Sequence, residues 1–147
     1  MNKADSAYAN MLASKLNCAQ SVLNAFCTEL GLESSLALKL ALGFGGGMGH
    51  TGQTCGAVTA AYMVLGLKQG FNPDNPKQNR DQVYALVQEF NKRFIKVNGS
   101  TNCTQLLGYD LSTPEGAAAV KEKGLSLKLC PKFVKDAVEI VEGMGKD

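Results

Sequence analysis

The chain has 147 residues, of which 45% are hydrophobic and 19% are charged, and this balance predicts one compact domain over residues 1–147. A formal net charge of +2 excludes the strongly basic surface typical of proteins that bind nucleic acid or anionic lipid. The sequence has neither an apolar run near the roughly 20 residues of a membrane helix nor a recognisable signal peptide, so we expect a cytoplasmic protein with no membrane insertion.

Apolar side chains recur every three or four residues through the first half of the chain, which predicts helices. The first is expected over residues 6–30, with Asp5 or Ser6 as its cap and Gly31 as its stop. A short buried helix follows in the segment ESSLALKLAL. A glycine-rich loop comes next, and from Thr54 to about Lys68 an alanine-rich segment, apolar nearly all round, predicts a central helix with neighbours on most sides.

Apolar side chains also recur at helical spacing in the second half of the chain. The segment FNPDNPKQNR predicts a turn, and a long helix with apolar positions from Val83 to Val97 is expected to stop at Asn98 and Gly99. Shorter helical stretches are predicted at NCTQLLG and TPEGAAAVKEKG, and a last helix begins with CPKFVKDAVEIVEGM. No segment alternates strongly enough for a strand, so we predict an all-α, single-domain bundle of about five to six helices.

Cysteine is the first residue type that points to a function. Five cysteines, an odd number, occupy positions 18, 27, 55, 103 and 130. Their spacing contains no CxxC and no Cys/His zinc pattern, which excludes the usual signatures of thioredoxin-like motifs, zinc ribbons and covalent haem. Any site that these cysteines share must therefore be assembled by the fold.

Three of the cysteines are predicted at the starts of helices. Cys55 follows the glycine-rich loop, Cys103 follows GSTN, and Cys130 directly precedes Pro131, a residue favoured at the first helical position. A helix amino terminus offers unpaired N–H groups and partial positive charge, which lower the pKa of a thiol and stabilise the thiolate that attacks disulfides or binds metal. This placement favours reactive sulfur over inert core filler.

The other two cysteines are predicted inside the first helix. Cys18 and Cys27 are nine residues apart, so they point to roughly opposite sides of a straight helix and cannot serve one site together. Buried apolar filler is the favoured interpretation of Cys27.

The segment GGGMGHTGQTCGA admits two interpretations. Gly47, Gly49 and Gly52 fit GxGxxG, and GMGHTGQT follows the P-loop pattern with Gln53 in place of its lysine, but neither is preceded by a predicted strand. Nucleotide binding is therefore disfavoured, and we expect the glycines to wrap the cysteines and donate N–H groups to sulfur or to a bound anion. His50, the only histidine, is either a further acid/base or ligand group in this loop or a solvated residue.

Four segments, NCAQSVLNAF, GFGGGMGHTGQTCGAVTAAYMVLGL, NCTQLLGYDL and LCPKFVKDAVEI, resemble in order the successive blocks of the redox-active protein family named for its C_GCAxxG_C_C cysteine pattern. The resemblance covers about residues 17–141. It implies a small, mostly helical bacterial or archaeal protein whose Cys18, Cys55, Cys103 and Cys130 cluster, with Cys27 outside the pattern. One departure is CGAVTA, which carries Ala60 where the family has glycine.

Two classes of function follow. The four cysteines would act as catalytic thiols or as metal ligands, holding an iron–sulfur cluster or a tetrahedral zinc, or working as two thiol/disulfide pairs with a redox partner protein. The alternative is a non-catalytic helical binding module with buried cysteines and a glycine loop that recognises an anion or a partner. The sequence alone does not choose among them, and it does not determine the oligomeric state.

Overall fold

A computed structural model describes residues 1–13 and 15–144 of the chain, and every regular element in these ranges is helical. In chain order the elements are α1 (Lys3–Ala13), α2 (Cys18–Phe26), α3 (Ser34–Ala41), a 3-10 turn (Leu42–Phe44), α4 (Gly45–Met48), α5 (Gly56–Gln69), α6 (Pro76–Asn98), α7 (Cys103–Leu107), α8 (Pro114–Lys123) and α9 (Leu125–Glu142). The all-α prediction is confirmed, with more helical segments than the five to six expected. No helix in the described ranges is long and apolar enough to cross a membrane.

The fold is built around α5, which packs against α2, α6 and α9. Its small side chains permit this, since Ala57, Ala60 and Ala61 are all fully buried beside Val58 and Val64. Ala60, the departure from the family pattern, is thus accommodated inside the core. A second layer forms where α1 lies along α9. The predicted role of α5 as a central helix is confirmed.

The single helix predicted over residues 6–30 is wrong, because the chain folds here as two helices, α1 and α2. Position 14, within the predicted helix, lies outside the described residues. Asn17 starts the second helix with a capping box: the Gln20 N–H donates to Asn17 Oδ1 at 2.9 Å, and the Asn17 N–H donates to Gln20 Oε1 at 3.0 Å. This reciprocal cap supplies partners for amide groups at a new helix end, so the apolar repeat continues across a break.

Two further helix starts differ from the prediction. The long helix α6 begins at Pro76 rather than near Val83, because Asn75 accepts a cap hydrogen bond from the Gln78 N–H and proline fits the first helical position. The last helix begins at Leu125 rather than at Cys130, which places Pro131 inside α9. Proline in a helix interior removes a backbone hydrogen bond but does not by itself mark a start.

The glycine-rich loop predicted before α5 is not confirmed as an open loop. Residues 45–52 instead form the short α4 segment and a series of tight turns, with the Gly52 N–H donating to Gly46 O at 3.1 Å and the Gln53 N–H to Gly47 O at 2.9 Å. Gly46 and Gly47 have φ of 67° and 73°, and His50 has φ of 67°. Glycine adopts these left-handed values without strain, which explains the glycines of the segment, whereas Met48, with φ of 69°, and His50 adopt them at a steric cost.

Candidate functional site

A cavity of about 320 Å³ lies between α1, α2, α7 and α9, and all four cysteines of the predicted motif line it: Cys18, Cys55, Cys103 and Cys130. These residues are far apart in the sequence, so only the tertiary packing of the helices brings them together. All five cysteines are free thiols. Cys27 does not line the cavity, and its thiol is directed to the Asn24 carbonyl at 3.5 Å. The structure thus separates Cys27 from the other four, as the sequence predicted.

Helix amino termini deliver three of the thiols to the cavity. Cys18 is the first residue of α2, Cys55 is the N-cap of α5, and Cys103 is the first residue of α7. The prediction named Cys55, Cys103 and Cys130 as the helix-opening cysteines, and it is wrong for Cys130, which lies within α9. Cys18 takes its place, because the break before α2 turns an interior position into a helix start.

Two glycines allow the chain to pass close to the cysteines. A Cβ atom added to Gly56 would lie 2.6 Å from Cys18 Sγ and 2.7 Å from the Phe44 carbonyl oxygen. A Cβ atom on Gly47 would lie 2.6 Å from Cys103 Cβ. Real Cβ atoms do not approach neighbours this closely, so a side chain at either position would displace a cysteine.

A short backbone link holds the starts of α5 and α7 together. The Cys55 N–H donates to Thr101 O at 2.8 Å and the Cys103 N–H donates to Gln53 O at 2.6 Å, on either side of an isolated bridge between Thr54 and Asn102. These bonds give partners to amides that would otherwise be unpaired at the two helix ends. They also fix Cys55 and Cys103 relative to one another.

Cys18 is the thiol with the strongest acidic character in the cavity. The Cys55 thiol, as a hydrogen-bond donor, is the largest cause that lowers the pKa of Cys18, to about 7. The backbone N–H groups of Gly46, Gly56 and Ala19 lower it further, and burial opposes them. Donors directed at sulfur stabilise its negative charge, so Cys18 carries a large thiolate fraction at neutral pH.

The pKa values of the other three thiols are shifted in the opposite direction. The interaction with Cys18 and burial together raise the pKa of Cys55 well above its ordinary value. Burial raises the pKa of Cys103 to about 11 and that of Cys130 to about 12, with further increases from negative charge on Cys18. One thiolate next to three protonated thiols is the arrangement expected when like charges share a low-dielectric site.

The glycines predicted to wrap the cysteines or bind an anion, and His50 beside them, take different positions. His50 lines the cavity, and Gly46, which was not predicted, lines it as well. Gly47 is buried against Cys103. Gly49 and Gly52 do not line the cavity; Gly52 instead receives a hydrogen bond on its carbonyl from Thr104 Oγ1 at 2.8 Å. The segment thus serves the site through its backbone turns and close packing.

Sequence reasoning missed Asn17 and Lys15, which also line the cavity. The pattern Asn-x-x-Gln over residues 17–20 is a capping-box signature and could have revealed both the helix start and the placement of Cys18. No sequence signal marks Lys15 as a residue of the cavity.

The cysteines as placed do not form a metal-ligand set. Among residues 1–13 and 15–144, no group of three or more His, Cys, Asp or Glu side chains has an arrangement that could hold a metal ion. A four-thiolate centre requires all sulfurs at bonding distance from one point, with each thiol deprotonated. An iron–sulfur cluster or a zinc ion at Cys18, Cys55, Cys103 and Cys130 therefore stays a prediction.

We expect Asn17→Ala to lower the free energy of unfolding by about 1–2 kcal/mol, because the variant loses the α2 cap. It also loses the bond from Asn17 Nδ2 to Leu42 O, at 2.9 Å. Urea denaturation measures the change. Asn75→Ala, which removes the exposed α6 cap and the bond from Asn75 Nδ2 to Gln78 Oε1, is the matched control. An effect smaller than that of Asn75→Ala would contradict the role of Asn17 as the anchor between α2 and the 3-10 turn.

The fold and the site together define the class as a small helical protein with a cluster of thiols around one cavity. Within that class, the chain belongs to the family described as "Putative redox-active protein (C_GCAxxG_C_C)", whose family model matches residues 16–144. It is also similar to an uncharacterised protein of Archaeoglobus fulgidus, with 28% identity over 138 residues that cover 89% of this chain and 85% of that protein. No solved structure matches the chain. Family membership supports a general redox role.

Proposed function

We propose that this protein carries out thiol/disulfide exchange, with Cys18 as the attacking thiolate and Cys55 as the thiol that resolves the mixed disulfide. The observation that carries this proposal is the pairing of the two thiols in one cavity, where Cys55 stabilises the thiolate of Cys18. Exchange requires one deprotonated thiol for attack and one adjacent thiol for resolution. The pair meets both requirements.

The pKa of Cys18 suits the attacking role. An unperturbed thiol, with a pKa near 8.5, is only a few per cent thiolate at pH 7, whereas a thiol with a pKa of about 7 is about half ionised. The intrinsic nucleophilicity of a thiolate falls with its pKa, so attack is fastest when the pKa lies near the ambient pH. Cys18 is at this optimum.

The proposed reaction transfers two electrons. The Cys18 thiolate attacks a substrate disulfide R–S–S–R′, forming a Cys18–S–S–R mixed disulfide and releasing R′S⁻, which takes a proton to become R′SH. Cys55 then loses its proton, attacks Cys18 Sγ, and releases RS⁻, which takes that proton to become RSH. The protein ends with a Cys18–Cys55 disulfide, and the substrate is reduced to two thiols.

Cys103 and Cys130 take no part in this first exchange. Burial is the largest cause of their raised pKa values, so both thiols stay protonated after Cys18 has formed the mixed disulfide. For Cys55 the largest cause of the raised pKa is its interaction with Cys18, which is lost once the Cys18 thiolate has reacted. Cys130 is the only partly exposed member of the four. The two thiols form the second pair of the predicted two-pair arrangement, in which they reduce the Cys18–Cys55 disulfide once one of them is deprotonated.

The proposal is tested by adding bis(2-hydroxyethyl) disulfide to the reduced protein under anaerobic conditions and mapping the products by peptide mass spectrometry without reduction. We expect a Cys18–Cys55 disulfide with release of two equivalents of mercaptoethanol, and the same result for the control Cys27→Ser. Five unreactive thiols would instead favour the binding-module alternative. Stoichiometric zinc, or iron with sulfide, that is lost in Cys55→Ser would support the metal-site alternative.

The pH dependence of alkylation provides a separate prediction. The rate of Cys18 alkylation by iodoacetamide is expected to rise with pH, reach half its maximum near pH 7, and level off above, because only the thiolate reacts. The thiolate fraction falls as pH decreases through this pKa. Stopped-time alkylation with mass spectrometry gives the profile for each cysteine. A midpoint for Cys18 at or above that of an ordinary thiol would contradict its assignment as the attacking group.

A further inference from the structure

We infer that the cavity accepts a small, mostly apolar disulfide that carries one acidic group, such as a dithiolane on an alkyl carboxylate. This inference rests on the proposed thiol/disulfide exchange and specifies its substrate class. Three features support it: the burial of the thiols, the composition of the cavity wall, and the charges beside it.

Burial of the thiols restricts the size of the substrate. Cys18 and Cys55 are 6% and 4% exposed, respectively. The attacking sulfur must reach bonding distance of the substrate sulfur, so the reacting disulfide has to enter the cavity. A volume of about 320 Å³ is at the lower end of the range for small-molecule sites. A cavity of this size favours a small disulfide over one on the surface of a folded protein.

The wall of the cavity is mainly apolar and comes from separate parts of the chain: Met11 of α1, Leu106 and Leu107 of α7, Leu111, and Leu127 and Phe133 of α9. Such a wall stabilises a hydrocarbon chain by removing it from water and offers few partners to a strongly hydrated molecule. The polar groups of the lining are few, with Asn17, His50 and Ser126 among them. An aliphatic substrate therefore fits the cavity better than a peptide-like one.

The cationic side chain of Lys15, in the cavity lining, favours an anion at its own part of the wall. The Cys18 thiolate and the Asp110 carboxylate, whose charges act on Cys103, disfavour an anion near the thiols. Lys15 is the only Lys or Arg among the lining residues that the structure describes, and no Asp or Glu is among them. The Lys15 side chain is exposed and has no ion pair within the described ranges. A carboxylate on the substrate would be attracted to this ammonium group, while the apolar chain and the disulfide extend inward.

A dithiolane fits the proposed chemistry with atoms and electrons balanced. The Cys18 thiolate attacks one ring sulfur, the ring S–S bond breaks, and the other ring sulfur leaves as a thiolate that remains attached to the same molecule. That thiolate takes a proton. Cys55 then attacks Cys18 Sγ, and the first sulfur leaves and is protonated, giving a dithiol and the Cys18–Cys55 disulfide.

The test compares four disulfides at equal concentration with the reduced protein: lipoate, its neutral amide lipoamide, bis(2-hydroxyethyl) disulfide and glutathione disulfide. Each rate is divided by the rate of the same disulfide with a free small thiol, because ring strain by itself makes a dithiolane more reactive than a linear disulfide. On this normalised scale we expect lipoate to form the Cys18–Cys55 disulfide at least about tenfold faster than glutathione disulfide, the magnitude by which a pocket separates substrates that fit from those that do not. We expect a roughly threefold preference of lipoate over lipoamide, the size of one exposed ion pair. Lys15→Gln should abolish the second preference, whereas Lys39→Gln, on exposed α3, should retain it.

The outcomes separate this inference from the function on which it rests. Equal normalised rates for all four disulfides would overturn the substrate class and leave the exchange reaction standing. Failure of all four to produce the Cys18–Cys55 disulfide would overturn the exchange reaction. Octanoate, which has the chain and the carboxylate but no sulfur, gives an independent measurement. It should protect Cys18 from iodoacetamide in the unmodified protein and less well in Lys15→Gln. Failure to protect would contradict the assigned binding mode.

Discussion

Replacing Cys55 with serine is expected to stop the reaction at the mixed disulfide. Attack by Cys18 does not require the Cys55 sulfur, whereas release of the second product does. After addition of bis(2-hydroxyethyl) disulfide, Cys55→Ser should hold about one mercaptoethanol adduct per chain, at Cys18. The adduct should persist at least about a hundredfold longer than in the unmodified protein, because resolution by a neighbouring thiol is intramolecular.

Intact-protein mass spectrometry at timed intervals measures this adduct, and peptide mapping locates it. The serine hydroxyl keeps a donor beside Cys18, so the thiolate retains its largest stabilising interaction. The matched control is Cys27→Ser, a buried cysteine away from the cavity, which should close the disulfide normally. Rapid closure of a disulfide in Cys55→Ser would assign resolution to Cys103 or Cys130 instead.

The second large effect is expected from Gly47→Ala. The φ of 73° at Gly47 costs an alanine about 1–2 kcal/mol. Its Cβ would in addition lie 2.6 Å from both Cys103 Cβ and the Gln53 nitrogen, and overpacking of this kind costs about 1–3 kcal/mol. We expect the free energy of unfolding to fall by about 2–5 kcal/mol in total, measured by urea denaturation.

Gly99→Ala is the matched control for this prediction. Gly99 ends α6 with φ of 89°, and a Cβ atom there would meet nothing within 4 Å. The loss of stability in Gly99→Ala therefore reports only the cost of alanine at a positive φ, about 1–2 kcal/mol. The additional loss of unfolding free energy in Gly47→Ala, compared with Gly99→Ala, measures how tightly the glycine segment packs on Cys103. Equal losses of stability in the two variants would show that the segment around Gly47 accommodates the added methyl group at no packing cost.

Local sequence patterns were sufficient for the fold class and for two of the helix-opening cysteines. The apolar repeats predicted the helices, and the residues before Cys55 and Cys103 indicated helix starts that the structure confirms. Prediction failed where two local signals competed. Before Cys18 an uninterrupted apolar repeat concealed the capping box of Asn17, and before Pro131 a favoured first-position proline concealed a helix that had begun at Leu125.

The sequence by itself determined that this protein is helical, that its glycines cluster before the central helix, and that it has the cysteine blocks of its family. These properties depend on residues close together in the chain, where periodicity, caps and left-handed positions have local causes. Only the tertiary structure placed Cys18, Cys55, Cys103 and Cys130 around one cavity and put the Cys18 sulfur against Gly56, the residue that follows Cys55. That arrangement comes from the packing of helices distant in the chain, and the difference in acidity between the thiols depends on the burial and the hydrogen-bond donors that this packing creates.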